Sequence, residues 1–279
     1  MKKLSGNLIL TGIIFISGVL VNPQTSSGKK NLHEANLHNT QTIYFNSEEV
    51  ADSFLIFISV PDGYKDNDKN YPVLYVLDGD IAYGMAASIA RYLQIGGNIP
   101  ELIIVGIGYG SVDKSVGKKR SRDYRPAQTS GAENFLDFLR DELIPFVDSN
   151  FRTIPGDRTI NGYSIGGLFA LYALFNKPET FSRYIAGSPY LIWDNFSIFK
   201  YEEDSPEKIG NSEIKLFVSV GSEEPDDKYF YPIDSMVTRI QERAYTGLTL
   251  ETKVFDGSTH LTGPSETITY GLLSVFKKE

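Results

Sequence analysis

Gly162-Tyr163-Ser164-Ile165-Gly166-Gly167 decides how the rest of the chain is read. Before it stands Arg158-Thr159-Ile160-Asn161, a short strand-like stretch, and after it Leu168 to Phe175 reads as a buried helix. A serine with glycines two positions before and two after it forms the G-x-S-x-G nucleophile elbow. A strand that turns at once into a helix forces the serine into a strained backbone conformation, and side chains at Gly162 and Gly166 are expected to collide across the turn. The turn lifts the hydroxyl above the sheet edge, and the helix N-terminus offers free N–H groups to an oxyanion. Five residues alone also match an ordinary Gly/Ser turn, so the remainder of the chain must decide.

A length of 279 residues suits one large domain with a sizeable core. Apolar and charged fractions of 41% and 22% are those of a folded protein and exclude disordered and collagen-like classes. There is no cysteine, which removes disulfides, thiolate metal sites, a cysteine nucleophile and a lipoprotein anchor together. A net charge of -8 argues against nucleic acid as a partner. At the N-terminus Lys2 and Lys3 precede an apolar run from Leu8 to Val21, shorter than a comfortable membrane span. Asn22-Pro23 ends the run, and Ser26-Ser27-Gly28 offers small residues for cleavage. Residues 1–28 are therefore read as a signal peptide, with an uncleaved anchor as the alternative. Residues 29–41 are read as a polar linker and 42–279 as the domain. The expected destination is the periplasm or the medium, without stable membrane embedding once the leader is gone.

Along the domain, Thr42–Phe45 and Phe54–Val60 read as an antiparallel strand pair. Pro72–Leu77, Leu102–Ile107 and Ile214–Val220 are continuous apolar runs, as expected of strands buried on both faces. Tyr184–Gly187 and Leu248–Phe255 complete the strand set. Helices are expected over Tyr83–Gln94, Tyr231–Tyr245, Ser265–Phe276 and Ala132–Val147, where Phe135, Leu136, Leu139, Leu143 and Phe146 recur at helical spacing. Tyr109–Gly131 reads as a long polar loop and 190–212 as irregular. Strands alternating with helices after an antiparallel start give an α/β fold: a mainly parallel sheet covered by helices on both faces.

In such a sheet the working groups lie beyond the carboxyl ends of strands. A serine hydroxyl needs a neighbouring base, and the domain offers a single histidine, His260, in the loop leaving the last strand. The orienting acid should follow the penultimate strand, within Gly221-Ser222-Glu223-Glu224-Pro225-Asp226-Asp227. Glu224, three residues past the strand-ending glycine, ranks first, ahead of Glu223 and Asp226. Serine, acid and histidine then follow in the order an α/β-hydrolase requires. The oxyanion donors are expected to be the backbone N–H groups of Ile165 and, from the loop after the third strand, Asp80. Reading Asp78 and Asp80 as a metal pair instead is disfavoured, since no histidine lies nearby, and the chemistry requires no metal or cofactor. Tyr163, Arg122, Tyr190 and Trp193 are candidate substrate contacts, with six Lys/Arg residues between Tyr109 and Arg125 able to face an anionic group.

Leu77-Asp78-Gly79-Asp80, Arg122-Asp123-Tyr124-Arg125-Pro126, Gly131-Ala132-Glu133-Asn134-Phe135, Glu142-Leu143-Ile144-Pro145, the elbow and Ser188-Pro189 stand in an order that resembles the "putative esterase" group of α/β-hydrolases. That group includes esterase D, siderophore esterases, feruloyl esterases and mycolyltransferases, and the resemblance spans roughly residues 42 to 276. It implies a serine carboxylic-ester hydrolase working through an acyl-enzyme on a small-molecule ester, similar to exported siderophore esterases. It carries the family's nucleophile and base onto Ser164 and His260. Two rivals share the fold: an acyltransferase, in which a sugar or lipid hydroxyl replaces water, and a binding protein without catalysis.

Overall fold

Pro72 to Leu77 carries an apolar side chain at every position because both faces of its strand are covered. In the computed structural model, which describes residues 37–126, 131–210 and 212–277, Val73, Tyr75 and Leu77 point into one core. Leu74 and Val76 point into a second core across the sheet. Ile103, Val105 and Ile107 alternate with Leu102 and Ile104 in the same way, as do Leu216 and Val218 with Phe217. A period of two with neither face polar is the signature of a central strand.

Eight strands form one sheet: β1 (Thr40–Ser47), β2 (Asp52–Ser59), β3 (Tyr71–Val76), β4 (Ile103–Gly108), β5 (Thr153–Tyr163), β6 (Arg183–Gly187), β7 (Ile214–Gly221) and β8 (Leu248–Phe255). Their order across the sheet is β1-β2-β4-β3-β5-β6-β7-β8. β1 and β2 are antiparallel, β2 meets β4 antiparallel, and every later pairing is parallel. The helices α1 (Gly79–Ile95) and α9 (Gly263–Val275) cover one face through Tyr83, Ala86, Ala90, Ile268 and Leu272. The other face is covered chiefly by α5 (Ile165–Asn176), buried along almost its whole length, by the helical stretch Ala132–Asn150, and by α8 (Tyr231–Arg243). This is the α/β fold expected, antiparallel pair included. The signal peptide over 1–28 and the linker up to residue 36 lie outside the described residues, and β1 starts at Thr40, inside the stretch assigned to the linker.

Two segments differ from expectation. Within the loop expected over 109–131 lies a helix, α2 (Lys114–Tyr124). Only Val116 and Tyr124 are large and apolar in it, so it shows no hydrophobic period. A cap and ion pairs hold it instead. The Asp113 carboxylate accepts from the Ser115 N–H at 2.7 Å. Lys119 and Arg122 both reach Asp52 of β2, at 2.8 and 3.0 Å. Within the irregular 190–212 stretch stand two short helices, α6 (Ile198–Glu203) and α7 (Pro206–Ile209), each too brief for a readable period. α6 buries Glu202, which Arg239 and Arg243 of α8 neutralise at 2.8 and 2.5 Å.

Wide π-type turns interrupt the helical path twice, each just before a proline. Phe138–Leu143 separates α3 (Ala132–Asp137) from α4 (Ile144–Asn150), and Asp226–Phe230 precedes α8. Pro145 and Pro232 have no N–H to return to Asp141 and Lys228, so the regular ladder cannot run through them.

The elbow joins β5 to α5. A Cβ added at Gly162 would stand 2.1 Å from the Gly166 carbonyl oxygen, and one at Gly167 would stand 2.7 Å from the Gly187 carbonyl oxygen. Gly166 is less restricted, with its nearest neighbour, Asp78 Oδ2, at 3.4 Å. The collision expected at both motif glycines therefore falls on Gly162 and Gly167. Gly162→Ala is expected to lose about 3 kcal/mol or fail to fold, whereas Gly166→Ala should stay within about 1 kcal/mol of wild type in urea unfolding. Equal losses at the two positions would contradict the geometry.

Candidate active site

Five strands end in a residue of the site. Asp78 follows β3, Ser164 follows β5, Ser188 follows β6, Glu224 follows β7 and His260 follows β8. Three of them, Asp78, Ser164 and Ser188, hold positive φ angles of 57, 59 and 37° without being glycine. Such backbone costs on the order of 1–3 kcal/mol per residue and persists only where its surroundings impose it. For Ser164 the surroundings are hydrogen bonds from its own N–H to Gly187 O at 2.9 Å and from Tyr190 N–H to its carbonyl at 3.1 Å.

The Ser164 hydroxyl lies 3.0 Å from His260 Nε2, and His260 Nδ1 lies 2.6 Å from Glu224 Oε2. A carboxylate at Nδ1 places the imidazole proton there and leaves the Nε2 lone pair facing the serine. Glu224 is 4% exposed, while Glu223 and Asp226 point to solvent, so Glu224 alone of the three acids meets the histidine. Its other oxygen accepts from the Ser188 hydroxyl at 2.5 Å and the Gly221 N–H at 2.9 Å. Burial works to raise the pKa of this carboxyl, but the hydrogen bonds from His260, Ser188 and Gly221 outweigh it and hold the group below its usual value.

Ile165 and Asp80 occupy the first turns of α5 and α1, where backbone N–H groups have no acceptor within their own helix. The Asp80 carboxylate is engaged elsewhere, accepting from the N–H groups of Tyr109 at 2.6 Å and Gly110 at 3.0 Å. Asp78 is engaged too. Arg120 of α2 donates to both its oxygens, at 2.5 and 2.8 Å, and to the Tyr163 carbonyl at 3.1 Å. One guanidinium thus ties the loop after β3 to the elbow. With both carboxylates committed this way, the pair does not form a cation site.

A cavity of about 550 Å³ opens beside Ser164 and His260, with Asp78, Asp80, Arg120 and Tyr163 in its wall. Ile81, Val112 and Leu261, at 70, 71 and 88% exposure, supply an apolar mouth. Of the cationic residues between 109 and 125, only Arg120 lines it. Arg122, the expected contact, turns away to pair with Asp123 at 2.6 Å and Asp52 at 3.0 Å. Trp193 packs under Arg125 at 4.2 Å and donates to the Pro126 carbonyl at 3.2 Å, outside this cavity. Tyr190 also lies outside its wall, with its ring 6.0 Å from that of Tyr229. Tyr163 packs its ring 5.1 Å from the imidazole.

Sequence reasoning placed Arg120 only among six basic residues and Ser188 only in a family motif, and it did not single out Tyr229. Position was available for Ser188, which directly follows a strand next to the elbow strand. Arg120 depended on recognising α2, and Tyr229 on the turn before α8.

Over residues 47–260 the chain matches the sequence profile of the "Putative esterase" family. The chain belongs to that family. Ferri-bacillibactin esterase BesA of Bacillus subtilis is 30% identical over 213 residues, covering 68% of this chain and 72% of that protein. Siderophore triacetylfusarinine C esterase of Aspergillus fumigatus is 31% identical over 58% of this chain and 59% of its own length. Among solved structures, the BES protein from Bacillus cereus superposes with a TM-score of 0.82 at 26% identity, covering 89% of this chain and 98% of that one. The family and the α/β-hydrolase architecture together make the chain a carboxylic ester hydrolase.

Glu224 gives two measurable consequences. Its depressed pKa contributes stability that is complete above the ordinary carboxyl value and is lost as pH falls through the lower folded value. Melting temperature followed from pH 7 downward should therefore fall less steeply for Glu224→Gln than for wild type. Ser188→Ala should cost about 1–3 kcal/mol, because it strips a partner from a buried carboxylate.

Proposed function

We propose that this protein hydrolyses siderophore-type esters through a Ser164 acyl-enzyme, with His260 as general base and acid and Glu224 as the group that orients it. The 3.0 Å approach of His260 Nε2 to the Ser164 hydroxyl carries the proposal. Nε2 takes the hydroxyl proton as Ser164 Oγ bonds to the ester carbonyl carbon, and the carbonyl oxygen becomes an oxyanion held by the N–H groups of Ile165 and Asp80. The C–O bond to the leaving alcohol breaks as Nε2–H returns the proton to that oxygen. Water, deprotonated by the same nitrogen, then attacks the acyl carbon, and the bond from that carbon to Ser164 Oγ breaks as Nε2–H returns the proton to Oγ, releasing the carboxylic acid. Glu224 stays ionised throughout and stabilises the imidazolium that forms.

The substrate class rests on the two siderophore esterases to which the chain is similar, and on the cavity. Its apolar mouth suits a bulky ester, and its one guanidinium is already neutralised by Asp78. Recognition in this reading comes from shape and apolar contact more than from net charge. Export from the cell, by the leader expected over 1–28, belongs to the same proposal.

Ser164→Ala should abolish hydrolysis of p-nitrophenyl esters and labelling by a fluorophosphonate while leaving the circular dichroism spectrum unchanged. Retention of more than a few per cent of the activity excludes Ser164 as nucleophile. Glu224→Gln should lower kcat by about 10²–10⁴, because it removes the group that fixes the imidazole tautomer. On a panel of triscatecholate siderophores, feruloyl sugars and short acyl esters, the siderophores should show the highest kcat/KM. A higher value on either other class would reject the substrate assignment.

A further inference from the structure

Tyr229 is a buried residue beside His260 that the mechanism gives no task. It is the fourth residue of the π-type turn Asp226–Phe230, which Pro225 opens and the proline at 232 enforces. Such turns widen a helix by one residue and are frequent at functional sites. Here the widening swings Tyr229 inward, to 5% exposure, while Asp226 and Asp227 stay in solvent. Its ring lies on the imidazole of His260 with centroids 4.5 Å apart and planes inclined by 31°. Its hydroxyl stands 3.4 Å from His260 Nε2. Lys228 caps the outer side of the same aromatic group, 5.4 Å from the Tyr229 ring and 5.2 Å from that of Tyr190.

Nε2 is the atom that receives the Ser164 proton and then delivers it. In the free enzyme it already has a partner in Ser164, so packing of the ring does not require a second hydroxyl beside it. During collapse of the tetrahedral intermediate the situation changes. The departing oxygen must lie within hydrogen-bond distance of Nε2–H, and an oxygen there is also within reach of a hydroxyl 3.4 Å from the same nitrogen. Burial pushes the Tyr229 pKa above its ordinary value, so the phenol keeps its proton across the neutral range and remains a donor.

We infer that Tyr229 is a catalytic residue on the leaving-alcohol side, donating its O–H to the departing alkoxide oxygen as His260 protonates it. The ester C–O bond breaks, the proton of Nε2 goes to the alcohol, and the Tyr229 proton stays on the phenol. The donor is worth most where the leaving group is most basic. It matters for alkyl alcohols, and hardly for a nitrophenolate that departs without help.

The inference rests on the acyl-enzyme reading of Ser164, and leaving-group dependence separates the two. Tyr229→Phe keeps the ring on the imidazole and deletes only the hydroxyl. With one acyl group carried on a series of alkyl and aryl alcohols, kcat/KM of Tyr229→Phe should fall about 10-fold for alkyl esters. For the p-nitrophenyl ester it should fall less than about 2-fold, since that oxygen needs little stabilisation. The slope of log kcat/KM against leaving-group pKa therefore becomes steeper in the variant. An equal loss on all esters, or none, overturns the inference, because a purely structural or oxyanion role does not depend on the alcohol. If instead Ser164 in the wild type fails to react with a fluorophosphonate, it is the acyl-enzyme reading that fails.

Discussion

The contact on which the site depends is between Gly162 and the Gly166 carbonyl, too close to admit a methyl group. It lets β5 turn into α5 with no intervening loop, and the residue at the vertex, Ser164, accepts φ 59° and ψ -118° in consequence. An L-residue does not rest there unaided. The cost is carried by the sheet, whose central strands are buried on both faces and cannot shift to relieve it. Asp78 and Ser188, at the ends of the strands flanking β5, also hold positive φ, Asp78 in the left-handed helical region. Strain is therefore gathered at adjacent strand ends, where relaxing one vertex would displace the hydrogen bonds that secure the next.

Electrostatics divides the site into two closed circuits. In one, the buried Glu224 carboxylate takes hydrogen bonds from His260, Ser188 and Gly221, enough to offset its desolvation and keep it ionised. In the other, Arg120 satisfies Asp78 and holds the elbow carbonyl of Tyr163. The first circuit turns His260 Nε2 toward the Ser164 hydroxyl. The second fixes the spacing between the two helix starts that carry the Ile165 and Asp80 N–H groups. The second is neutral, whereas the first carries the Glu224 charge, spread over three hydrogen-bond donors and turned toward the imidazole.

The parts legible in the sequence were those governed by one strong local rule. Apolar runs such as Ile103–Ile107 have no alternative to a central strand, and a single domain histidine after the last strand leaves no choice of base. Glu224 could be ranked but not isolated, because Glu223 and Asp226 differ from it only in which way the backbone turns after Gly221. α2 was illegible for a different reason. Its order comes from partners more than 40 residues away, Asp52 and Asp78, and five of its eleven residues are Lys or Arg, with no apolar stripe. That error misplaced the cavity's cation at Arg122, two positions from Arg120 and turned toward the other side of the helix.

What is legible and what is not follows the division of labour in this fold. Ser164, Glu224 and His260 stand one, three and five residues beyond the ends of β5, β7 and β8, where the sheet dictates position and spacing is readable. The cavity's distinguishing groups, Arg120 and Val112 near α2 and Leu261 before α9, come from the connections between strands. Tyr229, beside the histidine, comes from a turn before α8. Those segments are held by caps, prolines and ion pairs specific to this chain. A sequence therefore declares its reaction more readily than its substrate. Reading the ester that fits requires the arrangement of α2 and of the turn before α8, because those two segments flank the cavity and the imidazole.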